Sequence, residues 1–202
     1  VWWAARGLRA GGVGAIVVTA PAASLDEFRA GIADIGGVEV VVGSDRSRQA
    51  SVALGLAALG QRNEGDVVLV HDAARPLTPA QVTARVIDAV RAGAGAVIPV
   101  LPVTDTLKSV DASGVVTGTP RRADMVAVQT TQGFRWDVPM RAHEAGASLG
   151  ADAAVAATDD AGLVEAIGAV VHTVAGDERS LKVTRPLDLS LAQLLAGQER
   201  LD

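Results

Sequence analysis

The sequence contains no cysteine. This absence excludes disulfide bonds, thiolate catalysis, iron–sulfur clusters and cysteine-bound zinc. The Gly-x-Ser-x-Gly turn of hydrolases, the Walker loop of ATPases and the His-Glu-x-x-His pair of zinc proteases are also absent. A chain without cysteine fits a reducing compartment, and we therefore expect the protein in the cytoplasm.

Aromatic residues are few, and the charge balance is not basic. The chain has three tryptophans, two phenylalanines and no tyrosine, and its formal net charge is -5. A nucleic-acid-binding surface needs a basic stripe and stacking rings. No apolar run approaches the roughly 20 residues that a bilayer requires, and no export signal is visible. We therefore predict neither nucleic acid nor a membrane as a partner.

The pattern of the remaining residues predicts one globular α/β domain over residues 1–202. Hydrophobic residues make up 49% and charged residues 20%, which is typical of soluble folded chains. Short Val/Ile runs alternate with segments of helical periodicity, which indicates a doubly wound, mostly parallel sheet. The predicted strands are 15–19, 38–42, 67–70, 96–101, 126–129 and 170–174. The predicted helices include 48–59, 158–167 and 186–198.

Two helix starts are marked by capping boxes in the sequence. Ser24 is followed three residues later by Glu27, and Thr78 by Gln81. Pro79 is expected at the first helical position of the second helix, where proline is favoured.

Residues 104–122 interrupt the alternation of strands and helices. Two short strand-like runs flank a turn at 111–114, which predicts a β-hairpin arm. Such an arm has too little apolar surface to stand alone, so it either folds onto its own domain or clasps a second copy of the chain.

Residue Val1 leads directly into a stretch with helical character. Nothing before Ala15 resembles the first strand and glycine-rich loop that usually open a doubly wound sheet. We expect that strand and loop to lie outside the sequence, which leaves the activity of the chain as written open.

The strongest local motif is the predicted strand 67–70 followed by His71, Asp72 and Arg75. Open α/β sheets bind ligands at the carboxyl ends of their strands. An aspartate there can hold Mg²⁺ together with substrate phosphates, and an arginine can contact phosphate through two N–H groups. The alternative is that Asp72 caps a turn and Arg75 is its salt-bridge partner.

Two further polar segments are candidates for anion binding. Arg48 and Ser51 lie where a polar loop enters a helix, although Ser47 could simply cap that helix. Lys182 falls in a short predicted strand before a helix, either facing an anion or extending to solvent from a sheet edge.

Five segments, in order along the chain, resemble the 2-C-methyl-D-erythritol 4-phosphate cytidylyltransferase family. They are residues 71–76, 105–108, 127–130, 158–160 and 182–186. The resemblance implies a Rossmann-like nucleotidyltransferase fold and a homodimer joined by the arm. It implies transfer of CMP from CTP to 2-C-methyl-D-erythritol 4-phosphate, with release of pyrophosphate and assistance from Mg²⁺. The family's glycine-rich opening loop has no counterpart in this sequence.

The resemblance also implies roles for individual residues. Asp72 would bind the metal, and catalysis would depend on Asp72, Lys182 and Arg122. The nucleotide would lie beside Ser51, Ala73, Asp72 and Arg48. The phosphate-bearing substrate would be bound by Arg75, Thr106, Arg122, Thr130, Thr158 and Lys182.

The residue types suit this chemistry, because a phosphate monoester is largely dianionic at neutral pH and needs no general base. Catalysis then requires alignment and neutralisation of negative charge by a metal ion and cationic side chains. Two alternatives remain open at this point: a cytidylyltransferase for another polyol phosphate such as ribitol 5-phosphate, and a non-catalytic nucleotide-binding or dimerisation module.

Overall fold

The computed structural model describes residues 1–148 and 159–198. The strands are β1 (Ile16–Ala20), β2 (Val38–Val42), β3 (Val67–Val70), β4 (Ala96–Pro102), β5 (Ser109–Val110), β6 (Val116–Gly118), β7 (Val126–Val128), β8 (Gln132–Arg135) and β9 (Val171–Ala175). The helices are α1 (Trp2–Ala10), α2 (Leu25–Gly31), α3 (Arg48–Ala58), α4 (Ala80–Arg91), α5 (Asp137–Ser148), α6 (Asp160–Ala166) and α7 (Pro186–Gln198). No helix within these ranges is long and apolar enough to cross a membrane.

The main sheet contains β3, β4, β7, β8 and β9, and it is built around β4. Strand β9 pairs parallel to one edge of β4, whereas β8 and β7 pair antiparallel to the other edge. Because β3 is antiparallel to β8, it runs in the same direction as β4 and β9. The predicted mostly parallel sheet is therefore confirmed, with one antiparallel line of strands that the sequence pattern did not reveal.

Strands β7 and β8 form that antiparallel line along β4. The register of their pairing with β4 shifts by two residues between the end of β7 and the start of β8. Val100 faces Val128, whereas Val97 faces Gly133. The intervening residues Gln129, Thr130 and Thr131 are buried at this irregularity. A bulge of this kind redirects side chains, and here it lies next to the end of β3.

Helices cover both faces of the main sheet, as expected for a doubly wound fold. One core joins residues such as Val70 and Phe134 to Val138 of α5 and Val164 of α6. A second core packs α4 on the opposite face of the sheet. Gly133 permits this packing, because a Cβ there would lie 2.3 Å from a Cγ atom of Val86.

Strands β1 and β2 form a separate parallel pair with their own small core. Within the described residues, β1 has β2 as its only paired neighbour and β3 has only β8. A cavity lined by both β1 and β3 lies between their free edges. One extended strand placed there would join the two sheets.

The two predicted capping boxes are wrong in detail. Ser24 precedes α2 but makes no side-chain capping bond, and α4 begins one residue later than expected with Pro79 as its N-cap. Thr78 instead donates its hydroxyl to the Arg75 carbonyl. A competing backbone acceptor close in sequence explains the second difference.

The arm is a β-hairpin, as predicted. Strands β5 and β6 pair antiparallel around a turn in which the Asp111 carboxylate accepts bonds from the backbone N–H groups of Ser113 and Val115. Gly114 has a φ of 85°, a conformation that favours glycine. Val115 and Val116 are exposed at the tip of the arm.

Candidate active site

Asp72 lies two residues after the end of β3, at the carboxyl edge of the main sheet, where the sequence predicted it. Its side chain is 15% exposed. Its backbone N–H donates to the Thr130 hydroxyl at 3.0 Å. The bulge between β7 and β8 therefore supports the loop that carries Asp72.

Two cations hold the two oxygens of the Asp72 carboxylate. Arg48 Nε is 3.0 Å from Oδ1, and Lys182 Nζ is 2.9 Å from Oδ2. Burial alone would raise the pKa of Asp72, but the bond from Lys182 and the charge of Arg48 outweigh it and lower that pKa. The carboxylate is thus ionised at neutral pH.

These partners decide between alternatives that the sequence left open. Lys182 reaches an acidic side chain, so it is not a lysine extending freely to solvent. The prediction that it lies in a strand is wrong, because residues 181–184 form no ladder; the nearby Val183 N–H donates to the Ala74 carbonyl instead. Arg75 does not pair with Asp72, since Arg48 and Lys182 take that place.

The Arg75 guanidinium donates hydrogen bonds to two backbone carbonyls. Its Nη1 donates to Ser180 at 2.6 Å and its Nη2 to Val128 at 3.3 Å, while its buried Nε has no recorded partner among the described residues. Burial lowers the pKa of Arg75, although the nearby Asp72 charge opposes this effect. Arg75 therefore ties the segment that carries Lys182 to β7.

His71 is part of the support beneath Asp72. Its Nε2 lies 3.2 Å from the Arg75 carbonyl, which can only accept, so Nε2 carries the proton. Its Nδ1 then accepts from the Thr131 hydroxyl at 3.1 Å. Burial lowers the pKa of His71 to about 4. The ring is therefore neutral near pH 7 and acts structurally.

Ser51 closes the loop at the start of α3. Its hydroxyl accepts from the Ser44 N–H at 2.9 Å and lies 3.1 Å from the Ser44 carbonyl. Ser47 caps α3 by accepting from the Ala50 N–H. The geometry is thus compatible with both sequence-based interpretations, a helix cap at Ser47 and an anion-binding loop beside Ser51.

A cavity of about 810 Å³ opens onto these groups. At the end near the carboxyl edge of β3 it is lined by Arg48, Ser51, Asp72, Ala73 and Lys182. Five residues predicted from three distant segments therefore meet around one space.

Other predicted site residues lie away from this cavity or outside the described residues. Thr106 and Arg122 are exposed at the arm, where Arg122 Nη1 donates to the Thr104 carbonyl at 2.7 Å. Thr130 is buried behind Asp72. Thr158 lies outside the described residues.

Sequence reasoning missed the role of Asp160. This residue begins α6, its side chain is 1% exposed, and its Oδ2 lies 2.6 Å from Arg48 Nη1. The neighbouring Asp159 is the N-cap, since its carboxylate accepts from the Gly162 N–H. Two consecutive acids at a helix start were the available clue, because only one of them can be the cap.

Asp72 is suited to contribute a carboxylate to a divalent-metal site that substrate oxygens complete. Within the described ranges, no group of three or more histidine or acidic side chains could hold a metal ion. Mg²⁺ is, however, commonly bound by one or two carboxylates plus substrate phosphates. Asp72, ionised and facing the cavity, is suited to supply such a carboxylate.

The chain matches proteins of known activity over nearly its full length. The family model for 2-C-methyl-D-erythritol 4-phosphate cytidylyltransferase (IspD) matches residues 2–198. The chain is 50% identical to the enzyme of that name from Nocardia farcinica over 188 residues, covering 93% of this chain and 76% of the relative. It is 46% identical to the Rhodococcus jostii enzyme, covering 95% and 79%.

Solved structures agree with these sequence matches. The fold superposes on the Thermus thermophilus cytidylyltransferase with a TM-score of 0.75 and 33% identity, covering 96% of this chain and 86% of that one. The Anaerococcus prevotii 4-diphosphocytidyl-2C-methyl-D-erythritol synthase gives a TM-score of 0.82 at 25% identity, covering 96% and 84%. The names of these proteins favour the methylerythritol phosphate reaction over ribitol 5-phosphate and over a non-catalytic module. The chain therefore belongs to the 2-C-methyl-D-erythritol 4-phosphate cytidylyltransferase family.

Proposed function

We propose that the cavity at Asp72 is where this enzyme transfers CMP from CTP to 2-C-methyl-D-erythritol 4-phosphate. The reaction releases pyrophosphate and supplies isoprenoid precursor biosynthesis. The observation that carries this placement is the convergence of Asp72, Arg48 and Lys182 at one end of the cavity, beside the carboxyl edge of β3.

The chemistry needs no general base in this site. An oxygen of the phosphate monoester attacks the α-phosphorus of CTP, the bond to the β-phosphate oxygen breaks, and pyrophosphate leaves with that electron pair. The monoester is already largely dianionic at neutral pH. The main obstacle is repulsion between two anions, which positive side chains in a partly buried site reduce.

Asp72 is the residue that would hold Mg²⁺ in this proposal. When bound, the metal would neutralise phosphate charge and orient the triphosphate. The low pKa of Asp72 keeps the carboxylate available as an anionic ligand throughout the neutral range.

Lys182 and Arg48 act as cations for the reacting phosphates. Both pair with Asp72. The Lys182 side chain is 44% exposed, so it can turn from Asp72 to an incoming phosphate at small cost. We assign the catalytic charge neutralisation mainly to Lys182.

Ser51 and Ala73 are proposed to border the nucleotide. Ser51 holds the 44–47 loop through its hydroxyl, and Ala73 is an exposed small residue at the cavity. A small side chain beside Asp72 leaves room for a ring or a ribose.

The remaining residues predicted to bind substrate are Arg75, Thr130 and Thr158, and we propose that they serve the binding of methylerythritol phosphate. Arg75 and Thr130 contact the backbone that carries Lys182 and Asp72, so we propose that they position those residues. Thr158 stays a predicted substrate contact that precedes Asp159 and Asp160 in sequence.

Replacement of Asp72 tests the placement of the site. Asp72→Asn should lower kcat/KM about a hundredfold, because one buried electrostatic contact to a reacting phosphate contributes on that order. Asp66→Asn is the matched control, since Asp66 lines the same cavity at the opposite end of β3. Pyrophosphate release from CTP with methylerythritol phosphate is the measurement. Full activity of Asp72→Asn would place the reaction elsewhere.

We also propose that the arm joins two copies of the chain. Val110, Val115 and Val116 of the arm and Val126 of β7 are 46–60% exposed, which leaves apolar surface uncovered. A second copy would cover it and bring Thr106 and Arg122 to the partner's cavity. A symmetric pair of arms makes this exchange reciprocal.

Complementation between two inactive variants tests the exchange. An equal mixture of Arg122→Ala and Asp72→Asn subunits should regain about a quarter of wild-type activity, since half the dimers are mixed and each has one intact site. Each variant incubated with itself is the control. If subunit exchange is demonstrated but no activity is recovered, Arg122 does not complete the active site of the partner subunit.

We further propose a cytoplasmic location, because the reaction consumes CTP and the cysteine-free chain suits a reducing compartment.

A further inference from the structure

We propose that Asp160 is a positioning residue that anchors Arg48 in the active site. The inference rests on the proposed function of the Asp72 cavity. Asp160 would contact neither substrate nor metal in this role; it would act through the guanidinium of Arg48.

One guanidinium links two carboxylates that are far apart in the sequence. Arg48 Nη1 is 2.6 Å from Asp160 Oδ2, and Arg48 Nε is 3.0 Å from Asp72 Oδ1. The contact with Asp160 is the shorter and the more buried of the two, since the Asp160 side chain is 1% exposed and that of Asp72 is 15% exposed. Charge-assisted bonds of this length are strong when water is excluded.

The charge of Asp160 affects Arg48 more than that of Asp72 does. Burial alone would lower the pKa of Arg48, but it is raised, and the charge and hydrogen bond of Asp160 contribute more to that rise than those of Asp72. The Nη1 atom of Arg48 is therefore held by the buried Asp160, while its Nε atom faces Asp72 at the cavity.

Asp160 depends on Arg48 in return. The Oδ1 atom of Asp160 has no hydrogen-bond partner among the described residues, and His143 Nε2 is 3.5 Å away. A buried carboxylate is stable only when a partner compensates its charge. The bond from Arg48 provides that compensation.

The anchor matters because substrate binding is proposed to occupy Asp72. Arg48 then loses its contact with Asp72, but Asp160 still holds it beside the phosphates. Lys182 differs, because Asp72 is the one acidic partner recorded for it in the described ranges. The two cations would thus behave differently: Lys182 moves to the substrate, whereas Arg48 remains where α3 and α6 hold it.

The test compares two neighbouring aspartates at the start of α6. Asp160→Asn should lower kcat/KM for CTP about 10- to 100-fold, mainly through KM, as expected for loss of a supporting partner behind a binding group. Calorimetry with CTP should show weaker binding by a similar factor. Asp159→Asn removes the same charge at the same helix end but touches neither Arg48 nor Asp72, and it should change kcat/KM less than about threefold.

A double-mutant cycle then separates positioning from general structural support. In an Arg48→Met background, adding Asp160→Asn should change kcat/KM by less than about twofold, because the residue through which Asp160 acts is gone. The double variant should also melt at a higher temperature than Arg48→Met alone, since it no longer buries an unpaired carboxylate. An equal loss of kcat/KM from Asp160→Asn in both backgrounds would overturn the proposal.

The outcomes also distinguish this inference from the proposed function. If Asp72→Asn is impaired but Asp160→Asn binds CTP normally, the site stands and the anchor is wrong. If Asp72→Asn and Arg48→Met are both fully active, the site itself is misplaced.

Discussion

Acidification should destabilise this protein through His71, independently of catalysis. In the folded protein the His71 ring is neutral and both of its nitrogens are hydrogen-bonded, since Nε2 donates to the Arg75 carbonyl and Nδ1 accepts from the Thr131 hydroxyl. A second proton on Nδ1 would place a positive charge in a buried space, where it loses hydration. Burial accordingly lowers the pKa of His71 to about 4.

The size of the effect follows from the two protonation equilibria. An unfolded histidine takes up a proton below about pH 6.5, whereas the folded one does so only near pH 4. Between these values the unfolded state binds more protons, so the free energy of unfolding decreases as the pH falls. The loss from this one group should be about 2 kcal/mol between about pH 7.5 and about pH 5, and about 3 kcal/mol once the pH is below 4.

Urea denaturation at a series of pH values measures this loss. Other groups titrate in the same range, so the informative quantity is the difference between wild type and His71→Gln, which retains a donor toward the Arg75 carbonyl. The variant should lose about 2 kcal/mol less than wild type over the same interval. Parallel curves for wild type and His71→Gln would refute the argument.

Three further substitutions test the packing around the site. Gly133→Ala should lower the free energy of unfolding by about 1–3 kcal/mol in urea, because the new Cβ would lie 2.3 Å from a Val86 Cγ atom. Gly95→Ala, where the new Cβ would lie 3.6 Å from a Val138 Cγ atom, should stay within about 0.5 kcal/mol of wild type. Ser47→Ala removes the α3 cap and should cost about 1 kcal/mol by the same assay; no loss would show that the cap bond contributes nothing. Thr131→Val should cost about 1 kcal/mol by removing the shorter of the two hydroxyl contacts to the buried His71 Nδ1, and a stabilised variant would contradict the assigned proton position.

Local pattern was sufficient to predict most elements of the fold. The apolar runs at 38–42 and 67–70 are strands with those same bounds, and the segment at 186–198 is a helix as predicted. The turn residues at 111–114 correctly indicated a hairpin. These features depend on residues close in sequence, so a single segment contains the information.

The sequence missed β8, α5 and the direction of β7. Residues Gln132–Arg135 include a glycine and two polar side chains, which is a poor strand pattern. They form a strand because β3 and β4 pair with them on both sides. Neighbouring strands thus determine this element, and its own propensities do not.

By itself, the sequence placed Asp72 at the end of a buried strand and identified Arg48 and Lys182 as candidate anion-binding residues. It could not show that both would meet the same carboxylate, because Arg48 lies 24 positions before Asp72, Lys182 lies more than a hundred positions after it, and ion pairing depends on distances of a few ångströms. It also could not assign Asp160, since one acid at a helix start looks like another until burial is known. Only the packing of α6 against the main sheet removes Asp160 from water and leaves Arg48 as its partner.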